Sequence, residues 1–126
     1  MKIDRLDHLV LTVRDIDATV DFYQRVLGME PVSFGAGRRA LCFGRQKINL
    51  PPAAAPLKPH AAQPGQGTAD LCLIAATPLA EVIAELAAQG IAIEEGPVPR
   101  TGATGTIHSV YFRDPDGYMI EVSNYP

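Results

Sequence analysis

Arg113-Asp114-Pro115-Asp116-Gly117-Tyr118-Met119-Ile120-Glu121-Val122 decides the reading of this chain. Asp-Pro-Asp-Gly is turn chemistry: proline presets φ, and Gly117 can take the left-handed position that closes a bulged hairpin. Strand formers flank it, Ser109 to Phe112 before and Tyr118 to Val122 after. A bulged turn sets Tyr111 opposite Glu121, with both side chains on one face. A carboxylate between Ile120 and Val122 is out of place in a strand unless that face is wet or the carboxylate has chemical work.

Working outward, the 126 residues carry a net charge of −3. That length suggests one domain with a real core. The charge argues against a nucleic-acid footprint. No apolar run approaches the roughly 20 residues of a membrane span. Met1 runs straight into a strand-like segment, so no signal peptide is expected, and a cytoplasmic location is the expectation. Cys42 and Cys72 sit in apolar strand-like runs without metal-site spacing, and read as reduced core or pocket residues.

The first half opens with Leu6 to Val13, in which Leu9, Leu11 and Val13 share one face and His8, Val10 and Thr12 the other. The first set suits packing under a helix, so His8 points away from it. A lone strand histidine is ordinarily structural, but metal or acid–base work is open to it. A helix follows, capped by Asp15 or Asp17, with Ile16, Val20, Tyr23 and Leu27 at helical spacing and Gly28 at its end. Met29 to Phe34, Arg39 to Phe43 and Gln46 to Leu50 read as strands, the last two a hairpin around Gly44-Arg45.

Residues 51–68, with Pro51, Pro52, Pro56, Pro59 and Pro64 among alanines, read as a linker or covering loop. His60 lies there, a solvated histidine or a ligand carried on a lid. The pattern then repeats. Ala69 to Ile74 is strand-like. Thr77-Pro78 offers a cap and an N1 proline for a helix with Leu79, Val82, Ile83 and Leu86 as its stripe. Ile91 to Ile93 reads as a strand followed by Glu94-Glu95-Gly96-Pro97, Thr101 to Thr106 as a glycine-rich loop, and Ile107 onward as the final hairpin. Strand, helix and three strands thus occur twice. Overlaying the halves puts His8 on Asp70, Gly44 on Gly117 and Asn49 on Glu121. Four polar side chains come from equivalent strand positions, and a pseudo-twofold would set them around one concavity.

Asp7-His8-Leu9-Val10-Leu11-Thr12-Val13, Phe22-Tyr23-Gln24-Arg25-Val26-Leu27-Gly28-Met29, and Phe112-Arg113-Asp114-Pro115-Asp116-Gly117 with Ile120-Glu121 resemble the vicinal oxygen chelate superfamily of glyoxalases, bleomycin resistance proteins and extradiol dioxygenases. Gly44-Arg45-Gln46-Lys47-Ile48-Asn49-Leu50 and Glu95-Gly96-Pro97-Val98-Pro99-Arg100-Thr101-Gly102-Ala103 are similar to the glyoxalase domain-containing protein 5 and virulence-protein group.

The resemblance implies an α+β fold of two βαβββ modules, about 4–50 and 69–125, forming one glyoxalase-like domain with a curved sheet cup. It implies a divalent metal (Mn, Fe, Ni or Zn) held by His8 and Glu121, with Asp70 open as a third ligand, as a partner to the ligands, or as a base. It also points to Glu121 and Tyr111 as catalytic residues, with Tyr111 a substrate contact; Arg100, beside the glycine-rich loop, is a candidate anion contact, and Asn49, from the overlay of the halves, a further substrate contact. The implied activity is that of a lyase, isomerase or dioxygenase acting on a small vicinal-oxygen substrate, in a homodimer. The alternative is a metal-independent drug-type binding protein. Pro51 stands where the closest group often has histidine, and Asp70 where other members have one. Arg113 is expected to pair with Asp114 or Asp116, and His108 to face away from Tyr111.

Overall fold

The computed structural model describes residues 1–126. Its elements run β1 (His8–Val10), α1 (Ile16–Leu27), β2 (Glu30–Phe34), β3 (Arg38–Phe43), β4 (Gln46–Asn49), β5 (Asp70–Ile74), α2 (Leu79–Ala88), β6 (Glu95–Thr101), β7 (Thr106–Arg113) and β8 (Met119–Asn124). They form two compact units, Met1–Gln66 and Gly67–Pro126. Each holds one four-stranded mixed sheet, ordered β1-β4-β3-β2 in the first and β5-β8-β7-β6 in the second. The first strand of each unit pairs parallel to the last, and the others pair antiparallel. This is the α+β, twice-repeated βαβββ topology of the glyoxalase-like fold. No helix is long and apolar enough to cross a membrane.

In the first unit, α1 starts at Asp15, whose carboxylate accepts the Ala18 N–H at 3.1 Å. It ends at Gly28 in the left-handed region, φ 65°. Val20, Tyr23 and Val26 are buried, as are Leu11, Leu41 and Ile48 on the sheet. Alternation then leaves His8, Val10, Lys47 and Asn49 on the opposite face. The proline-rich segment is anchored to this unit: Val13 N–H donates to Pro51 O at 3.0 Å, and Ala53 N–H to Val13 O at 2.8 Å. His60 is exposed in it, with Nδ1 2.8 Å from the Ala61 carbonyl oxygen.

In the second unit, Val82 and Leu86 of α2 are buried, together with Val110, Phe112, Ile120 and Val122 of the sheet. The expected threonine cap is not used. Pro78 is the cap residue and makes no side-chain bond. Asn124, at the end of β8, does the work instead. Its Oδ1 accepts the Leu79 N–H at 2.6 Å, and its Nδ2 donates to the Ala75 and Thr77 carbonyls at 3.0 Å each. One amide thus ties helix start, strand end and loop together.

The second strand of this unit also lies elsewhere than Ile91 to Ile93, which is irregular; the strand is Glu95–Thr101. It contains Pro97 and Pro99, which argue against a strand in the interior of a sheet. The sheet order makes β6 an edge, where a missing N–H costs no ladder bond.

The turn between β7 and β8 fixes the register. Asp114 is buried at 5 % exposure, and its carboxylate accepts the N–H groups of Asp116 at 2.9 Å and Tyr118 at 3.0 Å. Gly117 sits at φ 85°. A Cβ on Gly67 would lie 2.6 Å from the Asp116 carbonyl oxygen, so only glycine lets that strand-entry segment pass the turn.

Asn124→Ala is expected to lower stability by about 1–3 kcal/mol, because it orphans a helix N–H and two carbonyls. Urea denaturation of the two proteins measures it; a loss within error of zero would show that water replaces the amide.

Candidate functional site

Ile120 and Val122 are buried, so Glu121 between them points to the other face of the sheet. The register places Cys72, Glu121, Tyr111 and Glu95 in one row across β5, β8, β7 and β6. Tyr111 does face Glu121, and its hydroxyl donates to Glu121 Oε1 at 2.9 Å. Arg100 reaches back from β6: its Nε donates to the Tyr111 hydroxyl oxygen at 3.0 Å, and its guanidinium carbon lies 5.5 Å from the ring centroid. The other two guanidinium nitrogens donate to Glu95 Oε1 at 2.9 Å and to the Pro99 carbonyl at 3.0 Å. Arg100 is therefore a clamp on Tyr111, its charge already met by Glu95.

The network runs Glu95, Arg100, Tyr111, Glu121, and ends at a cleft of about 320 Å³ lined by Asp70, Leu71, Cys72, Tyr111, Met119 and Glu121. Burial, with the bond to Glu121, raises the Tyr111 phenol above its ordinary value, against the opposing pull of Arg100. The hydroxyl is thus held as a neutral donor. Burial likewise raises the Cys72 thiol, and the neighbouring Glu121 carboxylate adds to this while a bond to Ser123 opposes it. A thiol pushed that way is a poor nucleophile at neutral pH. Its Sγ lies 3.4 Å from Ser123 Oγ, which in turn lies 2.7 Å from Ser109 Oγ; both serines are fully buried.

Asp70, Tyr111, Glu121 and Arg100 are thus gathered in the second unit. His8 and Asn49 lie in the first. His8 is exposed, with Nδ1 2.8 Å from Asp7 Oδ2, a bond that pulls the Asp7 carboxyl below its usual range. That contact leaves His8 Nε2 without a partner. In the sheets, His8 stands opposite Lys47 and Val10 opposite Asn49, as Asp70 stands opposite Met119 and Cys72 opposite Glu121. Asn49 is 5 % exposed, and its Oδ1 has no hydrogen-bond partner.

Within neither unit do three His, Cys, Asp or Glu side chains stand together as a metal site requires. Arg113 pairs not with Asp114 or Asp116 but with Glu94, at 2.9 and 3.3 Å, and also donates to the Gly117 carbonyl. Asp114 is turned inward by the turn it caps, which is why it is out of reach. His108 is exposed on the strand face opposite Tyr111.

Glu95 was not singled out for the site, and Cys72, read as a core or pocket thiol, lines the cleft. Glu95 lies just past the strand expected at Ile91 to Ile93 and belongs to the edge strand that replaces it.

A family model, the Glyoxalase/Bleomycin resistance protein/Dioxygenase superfamily, matches residues 5–122. The chain belongs to this superfamily. It is 55 % identical over 125 residues to virulence protein STM3117 of Salmonella typhimurium, covering 99 % of this chain and 87 % of that protein. The crystal structure of STM3117 overlays on it with a TM-score of 0.99 over all of both chains. Lactoylglutathione lyase from Agrobacterium tumefaciens is 26 % identical with a TM-score of 0.74, covering 98 % of this chain and 95 % of that one. TnmS3, an antibiotic-binding protein from Streptomyces sp. CB03234, shares the fold at 19 % identity and a TM-score of 0.79, covering 100 % and 99 %. Superfamily members bind small molecules, often form dimers and generally use divalent metals.

Of the four tyrosines, Tyr111 and Tyr118 are raised and Tyr125 is lowered, chiefly by Thr104. A phenol raised in the folded state stabilises the fold fully below its unfolded value, near 10, and loses that contribution as pH rises through the folded value. Absorbance titration of phenolate should therefore show Tyr111→Phe removing a late-ionising tyrosine, and Glu121→Gln bringing one late phenol back toward the ordinary range. An unchanged late phase in both variants would mean that the pair is not joined.

Proposed function

We propose that the chain is a lyase or isomerase that moves a proton on a small substrate carrying two adjacent oxygens, with Glu121 as the base and Tyr111 as the group that fixes it. One observation supports this above the others: a carboxylate at a cleft, bound through one oxygen to a neutral tyrosine that an arginine clamps in turn. Oε1 is committed to Tyr111, so Oε2 is the oxygen left to take a proton.

In the proposed step, a C–H bond beside a carbonyl breaks. The proton passes to Glu121, and the electron pair moves onto the carbonyl oxygen as an enediolate. The hydroxyl proton on the deprotonated carbon's oxygen shifts to the neighbouring oxyanion, and return of the proton from Glu121 to the neighbouring carbon leaves a carbonyl on the first carbon and completes an isomerisation. Tyr111, held neutral, is the donor that can hydrogen-bond the developing oxyanion by shifting from Glu121 once that carboxylate is protonated. Arg100 keeps the phenol in place for that exchange and lowers its cost by bringing positive charge to the oxygen.

A divalent ion of the kind the superfamily uses would supply Lewis-acid stabilisation of the enediolate. Asp70 and Glu121 offer hard oxygens in the second unit, and His8 offers Nε2 in the first. The residues of neither unit taken alone complete a metal site, so no step here is routed through a metal. Pro51, which cannot ligate a metal through its side chain, and the fold shared with the antibiotic-binding protein TnmS3 support a second reading, a metal-independent small-molecule binding protein.

The test uses dihydroxyacetone in D2O, followed by proton NMR, with Mn(II), Fe(II), Ni(II) or Zn(II) offered in turn and with none. The expected result is protein-dependent hydrogen–deuterium exchange at the carbon beside the carbonyl, reduced on the order of 10²–10⁴-fold in Glu121→Gln. Exchange that Glu121→Gln leaves intact would contradict the assignment of the base. Saturable binding with no exchange under any condition would favour the binding protein.

A further inference from the structure

The first unit carries a second cleft, of about 290 Å³, that the proton-transfer reading does not use. Ile16, Leu50, Pro51, Pro52, Ala55 and Leu57 give it apolar walls, and Arg38, Arg39 and Asn49 also line it. Its proline wall is tied down through Val13 and by the Ala55 N–H, which donates to the Pro52 carbonyl at 3.1 Å.

Three observations define what would fill it. First, Arg38 makes no ion pair: its guanidinium carbon lies 4.7 Å from the Phe34 ring centroid, and Lys47 Nζ lies over the same ring at 3.8 Å. Two cations thus share one ring. Arg39, by contrast, is already paired with Asp17 at 3.4 Å. Second, Asn49 Oδ1 is buried without a donor, an arrangement that leaves a desolvated acceptor unmet. The terminal torsion of an asparagine is soft, so the amide can turn to meet a donor that enters the cleft. Third, the rest of the lining is apolar.

We infer that this cleft binds a small carboxylate with an apolar body and a hydroxyl group: the carboxylate on Arg38, the hydroxyl on Asn49, and the body against Leu50, Pro52 and Leu57. Arg38 suits the carboxylate because its planar fork takes two oxygens at once, and Lys47 adds positive charge beside it. The Asn49 amide then selects hydroxylated over plain acids, since only the former meets the orphaned oxygen. This site draws on residues of the first unit alone and stands whether or not the Glu121 cleft is catalytic.

The experiment is a 15N-resolved NMR titration of the full chain with 2-hydroxyisocaproate, and in parallel with isocaproate and 4-methylpentan-1-ol. The expected result is saturable movement of the Asn49, Leu50 and Ala55 amides, tightest with the hydroxy acid and absent with the alcohol. Arg38→Gln should weaken binding roughly tenfold or more. Asn49→Ala should erase the preference for the hydroxy acid over isocaproate. Ala55→Phe, which fills the cleft from a loop, should abolish the response even if Asn49→Ala disturbs the strand. The inference is overturned if neither acid moves these amides, if Arg38→Gln binds as the parent does, or if the movements fall at Cys72 and Glu121 instead.

Discussion

A buried aspartate sets the register on which the second unit's chemistry depends. Asp114 accepts two backbone N–H groups across its own turn, and its own N–H donates to the Tyr118 carbonyl at 3.1 Å. That closes the hairpin with Tyr111 opposite Glu121. A strand has a side-chain period of two, so a slip of one residue would carry Glu121 into the core and Ile120 into the cleft. The turn therefore specifies which face the carboxylate meets, and the cross-strand hydrogen bond follows from that. Arg100 and Glu95 extend the row on an edge strand whose prolines are tolerated because nothing pairs beyond it.

The two units use one topology for different surfaces. At matching positions the first has His8, Lys47 and Asn49, and the second has Asp70, Met119 and Glu121. The uncovered face of the first unit carries cations around Phe34, and its buried amide lines the neighbouring cleft. The second offers carboxylates, with its one nearby guanidinium already bound to Glu95. The first arrangement favours anions. The second favours groups that donate or lose protons. Duplication of a βαβββ unit frees one copy's strand positions from the constraints on the other, because fold stability rests on the helix-facing residues of each sheet.

Much of this was legible locally. The Asp-Pro-Asp-Gly turn, the Asp15 cap, the Gly28 stop and the alternation that turns His8 and Glu121 away from the helices all depend on residues within a few positions of one another. So does the repeat, since its signal is order and spacing. The parts that were not legible depend on distant partners. The α2 cap comes from Asn124, 45 residues along the chain, and displaces the local Thr77 candidate. Arg113 finds Glu94 because the strands bring them together, while the nearby acids are spent on the turn. The strand at Glu95–Thr101 was hidden by Pro97 and Pro99, since only the sheet order reveals that these lie on an edge. The orphaned oxygen of Asn49 is a property of packing and has no local signature.

The account holds that Tyr111 and Glu121 act as one unit, and a double-mutant cycle tests this most directly. Hydrogen–deuterium exchange on dihydroxyacetone would be measured for the parent, Tyr111→Phe, Glu121→Gln and the double variant. The predicted result is strong non-additivity, with the double variant losing about as much as the worse single one, because removing either partner disables the pair. Losses that multiply would contradict it, since two groups contributing independently would not need the hydrogen bond that joins them.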